Sequence, residues 1–165
     1  MESAAAEPLP WNEAHRPYGI AVIDAVALAG LEVMTHDYGH EEDRYLHFGL
    51  ADALNRDELV VSWHEDLGWT WKTYAQFEHP QGEPTGHGSL PVPPLAEPDA
   101  VAAALRELLG LRAAQIEASW TPPPGYNPNT PPPFRNADTH ERAFESALAA
   151  YLTHPAWLEE TAAAQ

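Results

Sequence analysis

The sequence contains no cysteine among its 165 residues. Disulfide bonds, thiolate nucleophiles and zinc sites built on sulfur are therefore excluded. A chain of this length can bury one hydrophobic core without covalent cross-links or a structural metal. We therefore expect a domain that folds unaided.

Basic residues are scarce. One lysine and seven arginines stand against 25 acidic residues, and the net charge is −17. A field of this sign repels phosphates, so we expect no direct binding of nucleic acid. Basic protein surfaces are the natural electrostatic partners of such a chain, although acidity also serves plain solubility. The near absence of lysine, with abundant alanine and proline, indicates the coding bias of a high-GC bacterial genome.

Long apolar runs are also missing. The first ten residues, MESAAAEPLP, lack the basic and apolar regions of a secretory signal. The most apolar run, residues 19–34, is interrupted by Asp24 and is too short to cross a bilayer. We therefore expect no membrane segment, no membrane partner and a cytoplasmic location.

The clearest structural pattern covers residues 59–74, LVVSWHEDLGWTWKTY. Two runs rich in valine, tryptophan and threonine flank an acidic turn that ends in glycine, which predicts a β-hairpin. A three-residue loop at 66–68, with Gly68 in the left-handed position, would place Trp63 opposite Trp71. A symmetric four-residue turn would instead pair Trp63 with Thr70. The first register gathers Val61, Trp63, Trp69 and Trp71 on a core face and leaves Ser62, His64, Thr70 and Lys72 on the other.

Weaker patterns surround this hairpin. Asn12 can cap a helix that runs to about Gly30. A short strand over residues 31–36 is followed by a turn at 37–39, and a clearer strand covers 44–50. Residues 76–98 are rich in proline and glycine and allow one edge strand near 88–92. A second helix begins at Pro98, and Gly110 stops or interrupts it.

The C-terminal part contains a proline-rich stretch and one more helix. Residues 121–134 include seven prolines and predict a semi-rigid polyproline spacer. Residues 139–153 then form a helix, which is marginal in water unless its apolar stripe is covered. We therefore predict a surface that binds another protein, or docks on this chain, through Phe144, Leu148, Tyr151 and Leu152. Trp69, beside the hairpin turn, is expected to be partly exposed and is a further contact candidate.

The predicted fold class is α+β, with an N-terminal helix, an antiparallel sheet of three to four strands that contains the Trp-rich hairpin, and packing helices. The predicted divisions are an α+β domain over 11–120, a Pro-rich linker over 121–134 and a C-terminal helical segment over 135–160.

Candidate chemistry is concentrated in residues 35–47, THDYGHEEDRYLH. Three histidines, His36, His40 and His47, have enough carboxylates beside them to bind a divalent metal. Their spacing argues against a site, because a His-x-x-x-His pair needs a helix and Gly39 disfavours one. We therefore assign no catalytic residue, metal ligand or cofactor here, and interpret the segment as a solvated acidic loop.

The hairpin tip offers a second cluster of ionisable side chains. His64, Glu65 and Asp66 could act as an acid and base. Charged residues are ordinary at turns, however, and no nucleophile or phosphate-binding glycine pattern lies near them. This cluster also receives no catalytic assignment.

Several of these pieces carry a resemblance to a known family. They are the helix, Tyr45-Leu-His-Phe48, the hairpin with Trp63, an acid-rich turn and Gly68-Trp69, and the Ala-rich closing helix. Through these features the chain resembles an uncharacterised actinobacterial domain family of unknown function over residues 17–110. That family often has Asp where this chain has His64. The order of elements is also similar to the secretion-chaperone-like fold, whose members are small, acidic and protein-binding. Neither resemblance implies site residues.

The leading interpretation is a non-enzymatic domain that binds protein, in an adaptor, regulatory or chaperone-like role. Its partner is another protein, with a basic surface, or a second copy of the chain. One alternative is a metal-dependent enzyme that uses the histidines of residues 36–47. Another is an acidic mimic of nucleic acid that binds a basic protein.

Overall fold

The computed structural model describes residues 7–40, 43–51, 58–75, 83–110 and 141–164. They form an α+β fold whose five-stranded antiparallel sheet has its strands in chain order. The elements are α1 (Arg16–Leu28), β1 (Val33–His40), β2 (Arg44–Ala51), β3 (Glu58–His64), β4 (Gly68–Tyr74), β5 (Gly86–Ser89), α2 (Pro98–Leu108), α3 (Glu141–Ala149), a 3₁₀ turn (Ala150–Thr153) and α4 (Pro155–Ala163). Among the described residues, no helix combines the length and apolarity needed to cross a membrane.

The N-terminal helix is confirmed, although it begins four residues after Asn12. Residues 11–15 form turns, and α1 starts at Arg16 with Pro17 in its first turn, where its missing N–H is tolerated. Most of its circumference is covered, as predicted, since seven of its thirteen residues are buried and only Asp24, Ala27 and Leu28 are exposed. The helix therefore belongs to the centre of the core.

The predicted turn at residues 37–39 is wrong, because these residues continue β1. Asp37, Tyr38 and Gly39 pair with His47, Leu46 and Tyr45 of β2. Gly39 is needed for close approach and not for a turn: the Tyr45 ring lies where a side chain at position 39 would point. A glycine beside aspartate and tyrosine therefore gave a misleading turn signal.

The Trp-rich hairpin has the predicted faces and a different register. Trp63 pairs with Trp69 and Val61 with Trp71. The turn lies one residue earlier than predicted, at 65–67, and Gly68 follows it with a left-handed φ of 76°. This changes the pairing by two residues, and because the side-chain period of a strand is two, every side chain keeps its face.

The helices pack on one face of the sheet, which we call the inner face. The Tyr18 hydroxyl of α1 donates to the Ala96 carbonyl at 2.7 Å, and the Tyr18 ring makes edge contacts with Trp63 and Trp69. Helix α2 begins at Pro98 as predicted and is followed by Gly110 with a φ of 70°. The predicted edge strand is β5, slightly earlier than its predicted position.

The C-terminal helices belong to this same core. Phe144 stacks on Trp63, with ring centroids 6.3 Å apart, and Tyr151 contacts Tyr18 at 4.9 Å. Leu148 is fully buried and Leu152 is half-buried. These side chains pack in the chain's own core, so Phe144, Leu148 and Tyr151 are not available as the partner surface predicted from the sequence.

Two further predictions remain. The proposed linker at 121–134 lies outside the described residues, as do residues 111–120 at the end of the predicted α+β domain. Trp69 was expected to be partly exposed, and this is wrong: its side chain is 2% exposed because Tyr18 and Phe48 pack against it.

Candidate functional site

The face of the sheet opposite the helices, which we call the outer face, carries polar and ionisable side chains. Strand alternation places on it Thr35, Asp37, Tyr45, His47, Glu58, Ser62, His64, Thr70, Lys72 and His87. All of these are half-buried or exposed, whereas their inner-face neighbours on β2 and β3 are buried. Within the described residues, the outer face is therefore the accessible side of the sheet.

Aromatic rings form the centre of this face. The rings of Tyr45 and His47 stack with centroids 4.7 Å apart, and the His47 and His64 rings meet at 5.5 Å. His47 Nδ1 lies 2.8 Å from Ser62 Oγ. Burial, and then the nearby His64, lower the pKa of His47 below its usual value, so its ring is neutral at pH 7. A neutral imidazole can accept the hydrogen bond of the Ser62 hydroxyl.

A second group lies at the end of this face beside the β3–β4 turn. His64 Nδ1 is 3.0 Å from Asp43 Oδ2. A carboxylate oxygen of Asp66 is a third possible ligand atom, and the three ligand atoms lie within 4.8 Å of one another. Asp66 Oδ1 is shut off from solvent and accepts no hydrogen bond. These three residues, which we call the turn cluster, have the donor types that bind divalent cations.

The predicted acid and base cluster at the hairpin tip is therefore divided between the faces. His64 and Asp66 belong to the turn cluster, but Glu65 is 5% exposed and accepts a hydrogen bond from Arg44 Nε. Both terminal nitrogens of Arg44 donate to Glu145 of α3. This buried ion group ties the hairpin turn to the C-terminal helix.

Aromatic rings complete the surroundings of Arg44. Its guanidinium carbon lies 4.8 Å from the Trp11 ring centroid and 5.7 Å from that of Phe144. A signal for this group is present in the sequence, because Arg44 alternates with Leu46, Phe48 and Leu50 and so shares their inner face. A single cation in an apolar alternation predicts a buried ion pair.

The three histidines considered as metal ligands do not converge. His36 and His40 lie at alternate positions of β1 with the inner-face parity, whereas His47 lies on the outer face. Glu41 and Glu42, which belong to the same segment, lie outside the described residues. His36 and His40 instead line a polar cleft of about 420 Å³ together with Arg16, Tyr38 and Glu160.

Two polar atoms of this cleft's lining residues, Tyr38 Oη and Arg16 Nε, are buried without a hydrogen-bond partner. Burial raises the pKa of Tyr38 above its usual value, so its phenol is neutral. The lining combines acidic residues, Glu13 and Asp37 among them, with Arg16 and two histidines, so no single ligand charge is favoured. The cleft shows hydrogen-bonding capacity without a defined ligand class.

The spacing of residues along the sequence could not predict the turn cluster or the aromatic centre. Asp43 and His64 are 21 positions apart, and only the β2–β3 register brings them together. The likeness to an uncharacterised actinobacterial family, drawn from Tyr45 to Phe48 and the hairpin, stays a prediction. Comparison of the chain with protein-family models, with curated proteins and with solved structures finds no match.

Proposed function

We propose that the chain is a protein-binding module whose outer sheet face binds a partner with a basic surface. The main observation that supports this proposal is the negative charge of that face. Four carboxylates, those of Asp37, Asp43, Glu58 and Asp66, lie on it or at its end, against one lysine, Lys72. The face is therefore acidic, within a molecule whose net charge is −17.

The arrangement of side chains supports contact with protein. The aromatic centre consists of Tyr45, His47 and His64, and these side chains are half-buried in the chain by itself. Tyrosine is enriched in protein interfaces because its ring provides rigid apolar area together with a hydrogen-bonding group. The carboxylates lie around this centre, where charged groups influence association rate and partner choice more than affinity.

The test is a titration of the ¹⁵N-labelled chain with a designed Lys- and Arg-rich peptide, and with an acidic peptide of equal length as the control. We expect the basic peptide to shift backbone amide signals of β2 and β3, with an affinity that falls steeply between low and physiological salt. The acidic peptide should cause no shifts.

Matched variants separate the outer face from general acidity. Asp37→Asn with Glu58→Gln removes two outer-face charges, and Glu97→Gln with Glu107→Gln removes two exposed charges beside and on α2. We expect the first pair to weaken peptide binding several-fold more than the second. Equal loss in both, or shifts confined to the helices, would contradict the proposal.

A further inference from the structure

We propose that the turn cluster, Asp43, His64 and Asp66, binds one divalent transition-metal cation. This is a separate property from the binding of protein, and the two can be tested apart. One imidazole nitrogen and two carboxylate oxygens lie within 4.8 Å of one another on the accessible side of the sheet.

The geometry suits a single cation. Ligand atoms at about 2.0–2.2 Å from a metal lie about 3 to 3.5 Å apart. His64 Nδ1 and Asp43 Oδ2 are already 3.0 Å apart, so a cation can replace the proton that they share. The Asp66 ligand atom lies within 4.8 Å of both, and it has to move closer when a cation binds.

A buried atom without a hydrogen-bond partner belongs to one of the same three residues. Asp66 Oδ1 is inaccessible to solvent and accepts no hydrogen bond. An ionised carboxylate oxygen in that position is unfavourable unless a donor or a cation meets it. A cation bound between Asp66 and His64 provides the missing partner.

The ligands are held in place from the inner side. Arg44 follows Asp43 in the chain, and Glu65 lies between His64 and Asp66. Arg44 and Glu65 form a buried ion pair, and the Glu65 N–H donates to the Arg44 carbonyl at 3.3 Å. This pair fixes both chain segments, so the flanking ligands project to the other face from a rigid base, as a preorganised metal site requires.

The donor types define the class of cation. Two carboxylates match the charge of a divalent ion, and an imidazole nitrogen together with carboxylate oxygens favours Zn²⁺, Mn²⁺ or a similar first-row ion. Three protein ligands leave at least one coordination position for water or for a group of a partner. His64 shares the outer face of the sheet with His47 and Tyr45.

The test is calorimetric titration of the chelator-treated, full-length protein with Zn²⁺ and with Mn²⁺ alone. We expect one site per chain. His64→Ala and Asp66→Asn should each weaken it at least ten-fold, while His36→Ala, an exposed histidine of β1, should leave it unchanged. Since the sequence has nine histidines, this control distinguishes the site from adventitious zinc binding.

A second readout does not depend on any variant folding. Bound Mn²⁺ broadens nearby amide signals, and we expect the broadening to centre on Asp43, His64 and Asp66 in the unaltered protein. Absence of stoichiometric binding, equal affinity in Asp66→Asn, or broadening centred elsewhere would overturn the proposal. Asp37→Asn with Glu58→Gln should keep the metal, so a failed peptide titration and a failed metal titration remain distinguishable.

Discussion

The two faces of the sheet are built from the same strands and differ in almost every physical respect. On β3, Trp63 is fully buried against Tyr18 and Phe144, while Ser62 and His64 on either side of it are half-exposed. One step along the strand thus changes a residue's environment from close packing to solvent. The inner face determines whether the chain folds, and the outer face is left available for binding.

The charged groups show the same division. On the inner side, Arg44 is 2% exposed and is bound by two carboxylates, Glu65 and Glu145. On the outer side, the neighbouring Asp66 has a buried oxygen without a partner. Buried charges that are fully paired stabilise a particular packing, whereas an incompletely paired group is where a ligand gains most. Under the metal-binding proposal, the Arg44 group holds the fold together and the Asp66 carboxylate binds a ligand.

The largest expected effect on the inner face is loss of the C-terminal helices. Deleting residues 141–165 removes Phe144, Leu148 and Tyr151 from the core and Glu145 from Arg44. We expect the shortened chain to lose cooperative unfolding, because several such losses together approach the whole stability of a domain, about 5–15 kcal/mol. Calorimetry and near-UV circular dichroism measure this. A sharp transition near that of the full chain would show that the sheet and α1 form a sufficient core.

Single tryptophans of the inner face come next. Trp63→Ala and Trp69→Ala should each lower the free energy of unfolding by about 3–5 kcal/mol, since both indoles are almost completely buried. Trp71→Ala should cost less because that side chain is only half-buried near the β5 edge. Urea denaturation of the three variants gives the order. A nearly neutral Trp69→Ala would place Trp69 at the surface, as first expected from the sequence.

Removal of the buried cation should have an effect of similar size. Arg44→Ala takes away the charge that Glu65 and Glu145 share, and we expect a loss of about 3–5 kcal/mol. Arg44→Lys keeps the charge without the bidentate geometry, so its loss should be smaller but measurable by denaturation. If both variants were as stable as the original, the ion group would contribute nothing to the link between the turn and α3.

The inner face also predicts a dependence of stability on pH. Burial, and then the charge of Arg44, lower the pKa of His15 to about 4, and its ring is 1% exposed beside Trp63. The unfolded chain binds a proton near pH 6.5 and the folded chain does not. Stability from this group is therefore complete above pH 6.5 and is lost as the pH falls towards 4, by roughly 3 kcal/mol.

His15→Phe isolates that contribution, because phenylalanine preserves a ring beside Trp63 and cannot titrate. The carboxylates of the chain titrate in both proteins, so the difference between the two stability curves reports His15 alone. We expect the difference to change by roughly 3 kcal/mol between pH 6.5 and pH 4. Parallel curves over that range would show that His15 is protonated in the fold.

The division between the faces was largely predictable from the sequence, and the cross-strand sites were not. The alternation in residues 59–74 predicted which side chains share a face, because the period of two survives a two-residue error in register. The pairing of Trp63 was missed, since turn chemistry does not fix whether the loop is 65–67 or 66–68. The turn cluster needs a contact between Asp43 and His64 across two strands, and no local pattern reports such a contact.

The smallest expected effect on stability belongs to the outer face. His47→Ala removes a ring that contacts Tyr45 and a hydrogen bond with Ser62, both at a half-exposed surface. We expect a change in unfolding free energy below about 1 kcal/mol. The same variant should nevertheless weaken binding of the basic peptide, because the aromatic centre loses one of its three rings. Denaturation and peptide titration on one sample compare the two readouts. A loss of stability as large as that of Trp63→Ala, with unchanged peptide binding, would reverse the roles of the two faces.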